Sequence, residues 1–291
     1  MSLPRSVELP PRMNTALLFD IDGTLTVPRQ PLGGEMAEAL KAVNIPWHVA
    51  AGSSLDLVIP QFLQPLWDFG CRRNFEAFVS NGSAHYRCPF SEKFSIDEVL
   101  LFDFEKHLGS ECFSLLLREL ESVLNDSRYA LPDTVSVIGD QIKNRGSMVN
   151  CTPIGRPAKA ALDEAALSNR TAFVEFDKET HYRRRVIEHL NERLADIINE
   201  KNLRIMLGGE TSFDLVIAGQ DKTNAVTTLN KDGVERIVFL GDALFPGGND
   251  SVITDFIAGW DSNAPCPVEA IQVEGWEHSV AELKKNGWLA G

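Results

Sequence analysis

Four short apolar runs in this chain each end in a polar cluster, and that pattern constrains the fold more than any bulk property. They are "TALLFD" (15–20), "PWHVAAGSS" (46–54), "FEAFVSNGS" (75–83) and "ERIVFLGD" (235–242). Each reads as a strand followed by a turn. Helical spacing lies between and after them. "GGEMAEALKAVN" (33–44) puts Met36, Leu40 and Val43 on one side, and "DKTNAVTTLN" (221–230), "NDSVITDFIAG" and "HSVAELKKNG" (278–287) also read as helices. Strands alternating with helices predict a parallel α/β sheet. Such sheets bind ligands in the crevice at the carboxyl ends of their strands. Asp20 and Asp22, Ser53 and Ser54, Ser80 and Asn81, and Asp242 would gather there.

The middle of the chain follows a different pattern. "FEKHLGSECFSLLLRELESVLND" (104–126) and "YRRRVIEHLNERLADIINEK" (182–201) are long helical patterns. "TVSVIG" (134–139), "SMVNCT" (147–152), "AFVEF" (172–176), "LRIML" (203–207) and "SFDLVI" (212–217) read as strands. Segregated helices and strands predict an α+β module. The expected organisation is an α/β core over 13–87 and 220–291, interrupted by an α+β cap over 88–219. A Pro-rich leader over 1–12 is expected to be disordered.

Bulk numbers bound the function. A chain of 291 residues has room for two domains. A net charge of −13 argues against a nucleic-acid partner, which would need a basic face. No run of eighteen apolar residues and no signal-like apolar segment occurs, so no membrane association is expected. The five cysteines, Cys71, Cys88, Cys112, Cys151 and Cys266, are scattered without a C-x-x-C. Reduced thiols in a cytoplasmic protein are the expectation.

The strand-end residues carry the chemistry. Paired aspartates suit a hard divalent cation such as Mg²⁺, with Asp20 and Asp242 supplying carboxylate oxygens. Such a cation neutralises phosphate oxygens and lets a carboxylate approach phosphorus. Asp20 would then attack as nucleophile, forming an aspartyl-phosphate. Asp22, past the strand, would donate and later remove a proton. Lys222 would hold the phosphate. "DIDGT" alone is also compatible with a plain Asp-Gly turn, and D-x-D occurs in metal-dependent sugar transferases. The joint occurrence of these segments in this order narrows the choice.

"DIDGTLT", "AAGSS", "DK" and "GDALFPGGND" resemble, in order, the four motifs of the haloacid dehalogenase superfamily. The resemblance implies a Rossmann-like core with an inserted cap. It makes Asp20 the nucleophile, Asp22 the acid/base, and Ser53 and Lys222 the phosphate ligands. It gives Mg²⁺ the ligands Asp20, Asp22 and Asp242, with Asn249 and Asp250 in support. "DGTLTVPRQ", "SMVNCTPIGR", "GGETSFDLV" and "FPGGND" are similar to a narrower branch, the eukaryote-type phosphomannomutases. That resemblance implies sugar-phosphate binding by Arg29, Arg145, Arg156 and Arg170, sugar contacts from Ser212 and Asp214, and a homodimer through the cap. The chain departs from the family pattern after the fourth motif's "GD", where Ala243 and Leu244 replace the usual "K-T".

A guanidinium fork suits phosphate better than an ammonium does. Several arginines in the cap of a −13 protein fit a substrate with a second phosphate. The expected activity is interconversion of mannose 6-phosphate and mannose 1-phosphate, with a hexose 1,6-bisphosphate as activator. A sugar-phosphate phosphatase would use the same residues and pass the phosphoryl group to water. A non-catalytic sugar-phosphate-binding protein is the third alternative. "RRR" (183–185) is expected to be a solvated helix face.

Overall fold

The computed structural model describes residues 14–156 and 164–289. The expected leader lies outside these residues. The first section runs β1 (Thr15–Phe19), α1 (Gly34–Ala42), β2 (Trp47–Ala50), α2 (Leu55–Val58), a π-helical turn at Ile59–Leu63, α3 (Gln64–Asp68), β3 (Asn74–Val79), β4 (Ala84–Pro89) and β5 (Asp97–Leu101). The middle runs α4 (Phe104–Leu108), α5 (Ser110–Leu124), β6 (Asp140–Asn144), β7 (Val149–Arg156), α6 (Glu164–Thr180), α7 (Tyr182–Arg193), α8 (Ala195–Lys201), β8 (Leu203–Leu207) and β9 (Phe213–Ile217). The last section adds α9 (Thr223–Lys231), β10 (Arg236–Gly241), α10 (Ser251–Ala258), β11 (Val268–Gln272) and α11 (Trp276–Lys285).

The strands form two sheets. The larger has the order β11-β10-β1-β2-β3-β4-β5, and the smaller β6-β7-β9-β8. From β11 to β3 every pairing is parallel, while β4 and β5 add on antiparallel. Chain order leaves the sheet after β5 at one edge and returns beside β1 at β10, so the second sheet is an insertion. Leu17 and Phe19 of β1 pack into one apolar cluster with Met36, Leu40 and Phe62. Leu18, between them, packs on the opposite face with Val226, Leu229 and Ile253. Helices on both faces explain why β1 is apolar at every position after Thr15.

The inserted sheet is two-faced. Val149 and Cys151 of β7 pair with Leu215 and Phe213 of β9 and face a helical layer containing Leu116, Phe173, Val186 and Leu190. The alternate pair, Asn150 and Asp214, belongs to the opposite, polar face. That face meets the ends of the core strands.

The structure corrects several expectations. Residue 88 lies inside β4, and the chain stays in the large sheet through Leu101, because β5 completes its edge beside β4. The chain therefore leaves the large sheet beyond Leu101, and the second sheet ends with β9 at Ile217. "AFVEF" is helix within α6, where Phe173 and Phe176, three apart, reach the same apolar layer. "TVSVIG" forms no ladder, although Ile138 N–H donates to the Ile154 carbonyl. The helical run from 104 breaks at Gly109 (φ 82°), and the run from 182 breaks at Leu194.

Candidate active site

The carboxyl ends of β1, β2 and β10 lead into one cleft, a cavity of about 540 Å³ faced by the polar side of the inserted sheet; Ser80 and Asn81, after β3, do not line it. Its floor carries Asp20, Asp22, Ser53, Asp242 and Asn249. Its roof carries Arg145, Arg156, Arg170, Ser212 and Asp214, and Arg29 enters from the core side.

Asp20 follows the last residue of β1, and its N–H donates to the Leu240 carbonyl of β10, so the ladder sets its position. Lys222 is fully buried at the start of α9. Its Nζ donates to Asp20 Oδ1 at 2.5 Å and also to Asp250. Burial works against the Lys222 charge, but the two carboxylates outweigh it and hold its pKa above the ordinary lysine value. Asp20 is pushed well above the carboxylate range by burial, which outweighs the opposing attraction of Lys222; Asp250 and Asp242 push in the same direction as burial. Asp242 is raised to about 6, chiefly by burial and then by Asp250.

Among the described residues, Asp20, Asp242 and Asp250 each bring a carboxylate oxygen within 4.8 Å of the others. Three crowded carboxylates facing one lysine leave net negative charge. An all-oxygen donor set of this kind fits Mg²⁺. The expected set was Asp20, Asp22 and Asp242, with Asn249 and Asp250 in support; the clustered carboxylates are Asp20, Asp242 and Asp250, while the Asp22 carboxylate bonds to Arg29, Gln61 and Ser53. Gly23 (φ 78°) lies against this group: a β-carbon there would come within 2.4 Å of an Asp242 oxygen. The glycine of "DGT" is thus required both by its left-handed backbone and by close approach.

Asp22 Oδ1 accepts from the Arg29 N–H at 2.8 Å and from Gln61 Nε2 at 2.7 Å. Its Oδ2 accepts from Ser53 Oγ at 3.4 Å. Ser53 therefore sits beside the acid/base candidate as well as facing the cleft. Asn249 lines the floor, its amide close to Gly52. Asp250 also accepts from the Ala243 N–H at 3.1 Å, and the Leu244 N–H donates to Gln272 at 3.1 Å. The "GDAL" loop is thus held by main-chain donors.

The roof is cationic. The Arg156 pKa is lowered to about 9, first by burial and then by repulsion from Arg29 and Arg145. Arg145 is lowered by burial, with Arg29 adding to it, and its Nε is buried with no partner. Arg156 Nε donates to Asn150 at 2.9 Å. Arg170 is paired with Glu210 at 2.7 Å and reaches Thr211 at 3.2 Å. Arginines gathered in one cavity wall, one with an unpartnered buried Nε, are an arrangement that could hold an anion.

Asp214 is less available than expected. Its carboxylate is buried and accepts from Asn150 at 2.5 Å and from Asn81 at 2.8 Å. Asn81 stands at the end of β3 with φ 57°, so this bond joins core to cap. Arg145 makes a second such bond, to the Gly52 carbonyl at 3.2 Å.

Sequence reasoning missed three residues of this region. Gln61 is a buried polar residue, and a glutamine inside "VIPQFL" was the available signal for it. Arg183 is half-buried rather than solvated, while Arg184 and Arg185 are exposed, as expected of a solvated face. Arg183 pairs with Asp177 at 2.9 Å and donates to the Ser212 carbonyl at 2.8 Å, holding the loop that carries Ser212. Arg184 lines the cleft and donates to the Pro246 carbonyl at 3.3 Å. Only distant loops reveal these roles.

Comparison with known proteins agrees with the geometry. The sequence model of the family described as "Eukaryotic phosphomannomutase" matches residues 76–261. The phosphomannomutase of Schizosaccharomyces pombe is 30% identical over 243 residues, covering 81% of this chain and 83% of the relative. That of Saccharomyces cerevisiae is 30% identical over 239 residues, covering 81% and 83%. Among solved structures, an IMP-bound IMP-nucleotidase of Plasmodium falciparum is similar with a TM-score of 0.60, at 13% identity over 94% of this chain and 66% of that one. At that identity the likeness is one of fold.

Proposed function

Because the chain belongs to the eukaryotic phosphomannomutase family, we propose that it interconverts mannose 6-phosphate and mannose 1-phosphate through a phosphorylated Asp20. The observation that carries this reading is the facing of two unlike sites across one cavity. The Asp20–Asp22 pair lies on the floor, and a cluster of arginines lies in the roof. A hexose 1,6-bisphosphate bridges such a space: one phosphate reacts while the other is gripped.

The residues divide the work. Asp20 attacks the phosphorus, and as the bond to the sugar oxygen breaks, Asp22 donates a proton to that oxygen. The phosphate left on the departing monophosphate is held by Arg145, Arg156 and Arg170, with Ser212 and Asp214 bounding the sugar. The free 6-hydroxyl of an incoming mannose 1-phosphate then attacks the phosphorylated Asp20 as Asp22 removes its proton; the bisphosphate so formed turns over, and Asp20 takes the phosphate from its 1-position, releasing mannose 6-phosphate. Lys222 and Ser53 hold the transferred phosphate. Asp20, Asp242 and Asp250 would hold Mg²⁺, which when bound would neutralise phosphate oxygens. In this reading the insertion beyond Leu101 is the specificity cap. The unpaired cysteines fit a cytoplasmic setting, and the absence among the described residues of a helix long and apolar enough to cross a membrane is compatible with it. A homodimer through the cap belongs to the same proposal.

The test is an assay with Mg²⁺ and mannose 1-phosphate, with and without a hexose 1,6-bisphosphate. The expected result is mannose 6-phosphate formation that requires the bisphosphate and stops when EDTA removes the metal. Rapid release of inorganic phosphate without isomer would make the protein a phosphatase and overturn the mutase reading.

A further inference from the structure

Gln61 has no place in the reaction just described, yet it is a buried polar side chain beside the cleft, 6% exposed. It lies in the π-helical turn Ile59–Leu63. One extra residue in a turn rotates the following side chains, and such turns recur at functional sites. Its backbone carbonyl accepts from the Leu32 N–H at 2.8 Å, so the main chain is pinned. Its Nε2 donates to Asp22 Oδ1 at 2.7 Å and to Thr26 Oγ1 at 2.9 Å. Thr26 in turn donates to the Ile21 carbonyl at 3.3 Å.

The two oxygens of Asp22 are therefore unlike. Oδ1 accepts from two nitrogens, Gln61 Nε2 and the Arg29 N–H. Turning Oδ1 into the cleft would break both of these bonds. Among the described residues, Oδ2 takes the longer bond from Ser53 in the cleft. We propose that Gln61 is a positioning residue that fixes the Asp22 rotamer, so that Oδ2 rather than Oδ1 is presented to the leaving sugar oxygen. The proton then passes from Oδ2 to the leaving sugar oxygen as its bond to phosphorus breaks and the Asp20–phosphorus bond forms. The return step places a proton on the same oxygen. This inference rests on the acid/base reading of Asp22 but not on whether the final acceptor is sugar or water.

The test uses single turnovers of the Mg²⁺-loaded enzyme, comparing Gln61→Met with wild type. Hexose 1,6-bisphosphate has an alkoxide leaving group that needs a proton; p-nitrophenyl phosphate has a phenolate that does not. A lost general acid costs on the order of 100-fold or more, so the maximal rate on the bisphosphate should fall by roughly that factor. Half-saturation should stay within about threefold of wild type, and p-nitrophenolate release should change far less than the bisphosphate rate. Equal losses on both substrates, or no loss on either, would overturn the proposal. Gln61→Glu, of the same shape but without the donor, is the second variant should Gln61→Met fold poorly; it should show the same leaving-group split. A wild type that transfers phosphate to water but forms no isomer would sink the mutase reading and leave this ratio measurable.

Discussion

Lys222 occupies the most demanding position in the molecule, a fully buried ammonium between Asp20 and Asp250. Leaving either charge type alone there would be costly, so the lysine and its carboxylates depend on each other. Asp20→Asn removes one negative charge that burial already disfavours, while Lys222 keeps Asp250. Turnover should drop on the order of 10⁴-fold or more through loss of the nucleophile. The melting temperature should stay close to wild type, because the replacement is isosteric and neutral. Steady-state assay beside calorimetry checks both halves; an active variant would refute the assignment of Asp20. At this scale the sequence was most legible where residues are adjacent. Asp20 and Asp22 are separated by one position, and a D-x-D at a strand end is visible without coordinates. The third carboxylate was not, since Asp22 and Asp250 can be ranked only by where their side chains point.

At the scale of elements, the neighbouring strands β2, β3 and β4 carry a titratable cluster away from the cleft. His48 Nδ1 accepts from the Glu76 N–H at 3.0 Å, which requires that nitrogen to be unprotonated. Burial pushes the His48 pKa down to about 4, helped by His85 and opposed by Glu76 and Asp232. The unfolded chain titrates near the ordinary value of 6.5 and so binds more protons than the folded chain between those values. Stability from this group is complete above pH 6.5 and is lost as pH falls toward 4, by on the order of 3 kcal/mol. Urea unfolding of wild type and His48→Gln across that range should give curves that converge as pH falls. Parallel curves would rule out His48 as the source. Element identity was legible where periodicity was strong, as in β1, β10 and α11. "AFVEF" misled because five apolar-rich residues fit either a strand or one helical face; its partner layer, with Val186 and Leu190, decided for helix. β5 is apolar in part yet exposed along its length, so no burial pattern announced it.

For the molecule as a whole, the relation of cap to core decides the fate of the phosphoryl group. Water must be kept from the phosphorylated Asp20 for the sugar to take the phosphate back. The Asn81–Asp214 and Arg145–Gly52 bonds hold the cap down. Asn81→Asp keeps a side chain that tolerates the left-handed backbone but sets a like charge against Asp214. A buried hydrogen bond to a charged group contributes about 1.5–3 kcal/mol, so the closed population should fall on the order of tenfold. Phosphate released per isomerisation event should rise accordingly, read by product analysis; an unchanged ratio would show that this contact does not hold the cap. By itself the sequence determined the layer architecture, the insertion and the chemistry of the floor, because periodicity, strand-end polarity and short-range motifs are local. It could also name the cap arginines, by resemblance. The tertiary structure alone decided that Asp250 gathers with Asp20 and Asp242, that Gln61 holds Asp22, that Arg183 turns in to Asp177 and the Ser212 carbonyl, and that Asn81 and Asp214, 133 residues apart, close one on the other. Those relations depend on the packing of two sheets against each other, and no local pattern of residues encodes that distance.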